Sequence, residues 1–90
     1  MARDELQSAA DAIRAAADAA GDDETRDRLE AQAEQFETLA TADRGPDHGR
    51  LARHEHILGS IAEDEGGAVA DHVDDALDAI HTFRSTLEGV

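Results

Sequence analysis

Apolar residues recur along this chain at intervals of three and four positions, the spacing that places side chains on one face of an α-helix. Four such stretches predict helices over about residues 2–20, 23–43, 48–64 and 68–88. The connections between them are short, and short connections make consecutive helices antiparallel. We therefore predict one all-α domain over residues 1–90, a small antiparallel bundle of about four helices that form two helical hairpins.

The predicted inner faces of these helices define a core with few large side chains. In the first two helices the core positions are Leu6, Ala9, Ala10, Ile13, Ala16, Ala17 and Ala20, then Thr25, Leu29, Ala33, Phe36, Leu39 and Ala40. In the last two they are Leu51, Ile57, Leu58, Ile61 and Ala62, then Val69, Val73, Ala76, Leu77, Ile80, Phe83 and Leu87. Alanine dominates the first helix, whereas the fourth carries a continuous stripe of larger apolar residues.

Residues between the stretches predict where each helix stops and the next begins. The expected C-terminal caps are Gly21, Gly45, the pair Gly66-Gly67, and Gly89. The expected N-terminal caps are Asp22 or Asp23 for the second helix and Asp47 for the third. The run Arg44-Gly45-Pro46 places a cation, a glycine and a proline in the order that ends a helix.

The charge changes this picture more than any other property. Asp and Glu total 22 against eight basic residues, all arginine, which gives a net charge of −14. Leu, Ile, Val and Phe make up only 16 of the 90 residues, a composition typical of disorder in a highly charged chain. Concentrated salt reconciles that composition with the helical pattern, because a Debye length of about 3 Å at 1 M screens the repulsion. We expect a halophilic, cytoplasmic protein; the alternative is an ordinary acidic helical protein.

Several classes of function are disfavoured by what the chain lacks. It has no cysteine, so we expect no disulfide and no thiolate chemistry. No apolar run reaches the length of a membrane span, and the opening MARDELQ does not resemble a signal peptide. Nucleic acid is an unfavourable partner, because the chain lacks both a strongly basic patch and the Trp or Tyr that would stack on bases.

A second ridge of small residues follows the first helix. Ser8, Ala12, Ala15 and Ala19 lie beside the predicted core face, so alanine covers more than half of the helix circumference. The high helix propensity of alanine is one explanation. Because small residues also allow close helix packing and the core is thin, we predict homodimerisation through the first helix, by this ridge, through the second helix, or through both.

The stretch RGPDHGRLARHEHILG, residues 44–59, concentrates histidine and arginine. His54 falls on the apolar face of the third helix and is expected to be a core histidine with a hydrogen-bond partner, whereas His56 points to solvent. His48, Arg50 and Arg53 cluster near the start of the same helix, where free N–H groups favour anions. These three residues, with His54, form a candidate anion site. The alternative is that the arginines pair with neighbouring acids such as Asp47 and Glu55, or with the acidic helices packed alongside.

The fourth helix offers a weaker candidate. Asp74, Asp78 and His81 share one side at i, i+4 and i+7, and carboxylates with an imidazole can bind a divalent ion. The set lies away from the apolar stripe, however, so a solvated acidic face is the favoured interpretation and we predict no metal. No serine has the context of a nucleophile elbow, so we predict no catalytic residues, no cofactor and no enzymatic activity.

Two stretches carry a resemblance to known sequences: GPDHGRLARH, and the ending HTFRSTLEGV with its aromatic–arginine pair. With them, most of the chain resembles a family of short, acidic, haloarchaeal helical proteins of uncharacterised function. The resemblance implies a haloarchaeal source and a cytoplasmic location, but no activity or functional residues.

Two functional hypotheses remain open at this point. The first is a non-enzymatic structural or protein-interaction module that acts as a homodimer through Ser8, Ala12, Ala15 and Ala19, or that binds another protein. The second is a small anionic-ligand binder or enzyme that uses the His/Arg cluster at the start of the third helix.

Overall fold

The computed structural model describes residues 3–43 and 45–87. Its elements are helices α1 (Asp4–Ala19), α2 (Asp23–Thr41), α3 (His48–Glu65) and α4 (Gly67–Arg84), with no strand in the described ranges. The predicted all-α bundle of four helices is confirmed, and the helix bounds differ from the predicted ones by at most four residues.

The helices pack in a ring that is closed along three of its four seams. Helix α1 lies between α2 and α4 and packs extensively against both, while α3 packs mainly against α4. Helices α2 and α3 approach each other at only a few points, although they are consecutive in the chain. The contacts Thr25–Glu65 and Gln32–His54 show that these two helices run antiparallel. The bundle therefore has one open seam, between α2 and α3.

The core lies where α1 meets its two neighbours. Ala9, Ala10 and Ala16 on α1 are fully buried, and their small size allows α2 and α4 to pack closely against it. All predicted core positions on α2 are buried, with Phe36 the largest fully buried side chain. The predicted core positions that are only half-buried are Ala20, Ile57, Ala62, Leu77 and Leu87. Much of the alanine content of α1 is thus explained by packing within the chain.

The predicted N-caps are confirmed, but two predicted C-caps are wrong. Asp22 accepts a hydrogen bond from the Thr25 amide at 3.0 Å, and Asp47 accepts one from the Arg50 amide at 2.8 Å. Gly21 does not cap α1, because Ala20 already leaves the helix in an extended conformation. Gly45 has no positive φ either. In the described residues only Gly66 and Gly67 have one, at 62° and 54°, as the tight connection between α3 and α4 requires.

Helix α2 is instead capped from a distance by Arg3. The Arg3 guanidinium donates to the carbonyl oxygens of Leu39 at 3.0 Å and Ala42 at 2.7 Å, two groups left free at the helix C-terminus. A cation at this end also complements the helix dipole. Gly45 leaves space for this cap, since a Cβ there would lie 2.9 Å from Arg3 Nε. The role predicted for Arg44 lies outside the described residues.

Helix α4 ends at Arg84, four residues before the predicted end at residue 88. The hydroxyl groups of Thr82, Ser85 and Thr86 donate to the carbonyl oxygens of Asp78, Thr82 and Phe83. Such local bonds from hydroxyl side chains compete with the regular helical pattern and favour a turn. The predicted cap at Gly89 lies outside the described residues.

Candidate functional site

The open seam between α2 and α3 forms a groove of about 620 Å³. Side chains from both helices line it: Gln32, Gln35, Arg50, Arg53, His54 and Ile57. Asp47 and Gly49 complete the lining at the start of α3. The groove is therefore polar, with cationic groups on its α3 side and amides on its α2 side.

His54 is the most buried polar residue of the groove. It is 5% exposed, its Nδ1 lies 2.7 Å from Gln32 Oε1, and its ring meets the edge of Phe36 at a centroid distance of 5.0 Å. The expected core histidine with a hydrogen-bond partner is confirmed. His54 also lines the groove, so it is both a core residue and a wall of the candidate site.

The bond to Gln32 determines what His54 presents to the groove. Because an amide oxygen accepts only, Nδ1 carries the proton and Nε2 keeps its lone pair. Burial lowers the pKa of His54 below its ordinary value, and the charges of Arg50 and Arg53 lower it further. The ring is thus neutral at neutral pH. Within residues 3–43 and 45–87, the Nε2 atom of His54 has no hydrogen-bond partner. This atom also keeps some contact with solvent.

Arg50 and Arg53 are both exposed, and in the part of the chain that the structure describes neither side chain has an ion-pair or hydrogen-bond partner. The predicted alternative, pairing with Asp47 and Glu55, is wrong. The Asp47 carboxylate accepts a hydrogen bond from the Arg50 backbone amide. Glu55 binds Arg84 on the opposite side of α3.

Four of the other five described arginines behave differently. Those that donate hydrogen bonds to protein acceptors are Arg3, Arg14, Arg26 and Arg84. Arg28 on α2 is exposed and has no ion-pair partner among the described residues, but it does not line the groove. The two arginines that line the groove are thus both available to a ligand.

His48 does not join the groove, contrary to its predicted grouping with Arg50 and Arg53. Its Nδ1 accepts from Arg84 Nε at 3.1 Å, in the seam between α3 and α4. Arg84 Nη1 also donates to both Glu55 carboxylate oxygens at 3.0 Å, and His81 Nε2 lies 3.5 Å from Glu55 Oε1. This network joins the start of α3 to the end of α4. It therefore links the two stretches that carry the family resemblance.

The other predicted positions lie on the surface. Asp74, Asp78 and His81 are exposed, and among the described residues no group of three or more His, Asp or Glu side chains is placed to hold a metal ion. His56 is exposed, as expected.

The ridge predicted for self-association is only partly open. On α1, Ser8 and Ala19 are exposed, while Ala12 and Ala15 are half-buried.

Sequence reasoning missed the two glutamines of the groove. Gln32 lies three residues after Leu29 and four before Phe36, on the buried face of α2, and it is 7% exposed. Its position on an apolar stripe was a usable signal, because a buried amide needs a buried polar partner. Gln35 follows one turn later and had no comparable signal.

These features define a class: a small four-helix domain with a polar, arginine-lined groove along its open seam. The chain belongs to a family of unknown function, DUF7553, whose sequence profile matches residues 1–86. No curated protein and no solved structure matches the chain. Across the described residues, none of the helices has the length and hydrophobicity needed to span a bilayer.

Proposed function

We propose that this protein is a non-enzymatic binding module whose groove between α2 and α3 holds a small anionic ligand. The observation that carries the proposal is the pair Arg50 and Arg53. In a chain with 22 acidic residues, both arginines lack an ion-pair partner among the described residues, and both line the same groove as the neutral His54.

The chemistry of arginine supports an anion as the ligand. Its planar guanidinium matches the geometry of carboxylate and phosphate groups and binds them through paired hydrogen bonds. Arg50 and Arg53 are three residues apart on α3, so they lie on the same side of the helix. Among the described residues Asp47 is the one carboxylate that lines the groove, and its Oδ1 already accepts a hydrogen bond from the Arg50 amide.

The size and composition of the groove favour binding rather than catalysis. Pockets that hold small ligands span roughly 300 to 1,000 Å³, and this groove of about 620 Å³ falls within that range. Its described lining contains no Ser, Thr, Cys or Lys that could act as a nucleophile. Ile57 adds an apolar wall for the non-ionic part of a ligand.

A titration with inorganic phosphate tests this proposal. We expect phosphate to shift the ¹⁵N–¹H signals of Arg50, Arg53 and the first turn of α3 in a saturable manner, at a constant KCl concentration. Arg50→Gln or Arg53→Gln should weaken binding about tenfold or more, because each removes a charged hydrogen-bond donor.

The matched control is Arg28→Gln, which removes the same charge from an exposed arginine outside the groove. It should leave the dissociation constant unchanged within twofold. Equal weakening by all three substitutions would mean that only the net charge matters, and the groove would then not be the site.

A second candidate function is self-association through the α1 ridge, together with contact to another protein. The exposure of Ser8 and Ala19 favours it, because small exposed residues allow a second helix to approach closely.

Light scattering in about 2 M KCl, where charge repulsion is largely screened, tests this self-association. A dimer should dissociate with Ala15→Glu and Ala19→Glu but not with Ala31→Glu, a control at an exposed alanine of α2. A monomeric wild-type chain would rule it out.

We also propose that the chain functions in a concentrated-salt cytoplasm. The net charge of −14 supports this, since such a charge opposes the compact state unless salt screens it.

A further inference from the structure

The groove combines two cationic groups with a buried histidine whose hydrogen-bond acceptor has no partner among the described residues. Arg50 and Arg53 supply the cations, and His54 Nε2 supplies the acceptor, because the Gln32 oxygen holds the proton on Nδ1. His54 is 5% exposed, so its ring is fixed by the core and cannot turn to present Nδ1 instead. A ligand in this groove therefore meets a lone pair as well as positive charge.

A fully deprotonated oxyanion can bind the two arginines but cannot donate a hydrogen bond to His54 Nε2. Sulfate offers lone pairs alone, so it can accept from the arginines, but its oxygens repel the lone pair of Nε2. Hydrogen phosphate carries a P–O–H group, and a hydroxy carboxylate carries a C–O–H group. Each can accept from the arginines and donate to Nε2 at the same time.

Ammonium donors fit the groove less well than hydroxyl donors. An amino acid would bring its carboxylate to Arg50 or Arg53, but its ammonium group would then lie close to both guanidinium charges. Like charges at such separations repel strongly where water is partly excluded. A neutral hydroxyl provides the donor without that repulsion.

We propose, on the basis of the anion-binding function above, that the groove selects anions that carry their own hydroxyl hydrogen-bond donor. Hydrogen phosphate and small hydroxy carboxylates share this chemistry. The selectivity resides in His54, whereas Arg50 and Arg53 supply the affinity for anions in general.

Two matched ligand pairs test the selectivity: phosphate against sulfate, and glycolate against acetate. Dissociation constants are measured by the same NMR titration at pH 7.5 and constant KCl. One hydrogen bond of this kind corresponds to about three- to tenfold tighter binding of the hydroxyl-bearing member of each pair. If the preference appears only for phosphate over sulfate, the ligand is a phosphate. If it appears only for glycolate over acetate, the ligand is a hydroxy carboxylate. Equal binding within both pairs would overturn the proposal.

A paired substitution isolates the acceptor. His54→Phe with Gln32→Leu removes both members of the buried hydrogen bond, so that neither is left unpaired in the core. The variant should bind phosphate no more tightly than sulfate, and glycolate no more tightly than acetate, whereas Arg50→Gln should weaken the binding of all four anions. Preference that survives the paired substitution would overturn the role of His54.

An independent measurement uses the unaltered protein. The imidazole ¹⁵N spectrum should show His54 protonated at Nδ1, and the Nε2 resonance should shift on addition of phosphate but not of sulfate. An unmoved Nε2 resonance at saturating phosphate would overturn the inference. Failure of all four anions to bind would instead refute the proposed function itself.

Discussion

One buried hydrogen bond, between His54 and Gln32, determines the local chemistry of the groove. Both partners are buried, at 5% and 7% exposure, and each would be costly to leave unpaired. The bond fixes the tautomer of His54 and keeps its ring against Phe36. Burial and two nearby arginines hold the ring neutral. A residue expected only to fill the core therefore also exposes an acceptor to the groove.

The lowered pKa of His54 predicts a specific pH dependence of stability. Below its ordinary pKa of about 6.5, an unfolded histidine binds a proton that the folded His54 does not. Unfolding then takes up a proton, so the free energy of unfolding should fall as the pH drops from about 7 through the folded pKa. Denaturant titrations between pH 7.5 and 5.5 measure this loss.

The comparison between variants separates His54 from the other histidines. The paired variant His54→Phe with Gln32→Leu should lose less stability than the wild type over this pH range. His56→Gln, at an exposed position of α3, should behave as the wild type. A paired variant with the wild-type slope would show that His54 titrates freely in the folded state.

At the scale of the helices, side-chain hydrogen bonds stabilise the C-terminal ends of α2 and α4. The C-terminus of helix α2 is capped by the guanidinium of Arg3. In the sequence Arg3 precedes its acceptors, Leu39 and Ala42, by 36 and 39 residues. Helix α4 ends in a turn held by hydroxyl groups. Within residues 3–43 and 45–87, only the connection between α3 and α4 uses glycine with positive φ.

The Arg3 cap predicts a nonadditive pair of substitutions. Arg3→Ala should lower the free energy of unfolding by about 1 kcal/mol, because two carbonyl groups lose a charged donor at the helix C-terminus. Gly45→Ala should cost a similar amount, since its Cβ would displace the Arg3 side chain. The double variant should then be little worse than Arg3→Ala alone.

Two controls accompany this pair. Gly49→Ala places a Cβ at ordinary contact distance, 3.6 Å from Asp47 Oδ1, and should not destabilise the protein. Arg26→Ala removes an exposed ion pair within α2 and should cost less than about 0.5 kcal/mol. Additive losses from Arg3→Ala and Gly45→Ala would contradict the proposed contact.

At the scale of the whole molecule, a thin core and a high surface charge act together. The core depends on alanine packing around α1, while the net charge of −14 opposes compaction. In the described residues the ion pairs that join helices are few: Arg14–Glu37 between α1 and α2, and Glu55 with Arg84 and His81 between α3 and α4. Most carboxylates therefore rely on solvent and salt for screening.

This balance predicts that the fold depends on salt. Dilution from about 2 M to about 0.01 M KCl lengthens the Debye distance from a few ångströms to about 30 Å, so carboxylates across the whole molecule repel one another. Far-UV circular dichroism should show a loss of helix on dilution and its recovery when KCl is restored. Unchanged helicity at low salt would contradict the halophilic interpretation.

The sequence predicted the helices and their inner faces well because both depend on local spacing. The apolar stripes placed Phe36, Ile80 and His54 inside, where the structure has them. The groove was only partly predictable. Arg50, Arg53 and His54 share one helix, but Gln32 and Gln35 reach them only because α2 and α3 leave a seam open. His48 was grouped with the wrong neighbours, since its partner Arg84 is 36 residues away.

The central claim is that Arg50, Arg53 and His54 form an anion site, and a crystal structure tests it most directly. Crystals grown from concentrated KCl and soaked in phosphate should show a phosphate in the groove, with Arg50 and Arg53 donating to it and His54 Nε2 within hydrogen-bonding distance. Clear density for both arginines bound to carboxylates of the same chain, with no phosphate beside them, would contradict the claim.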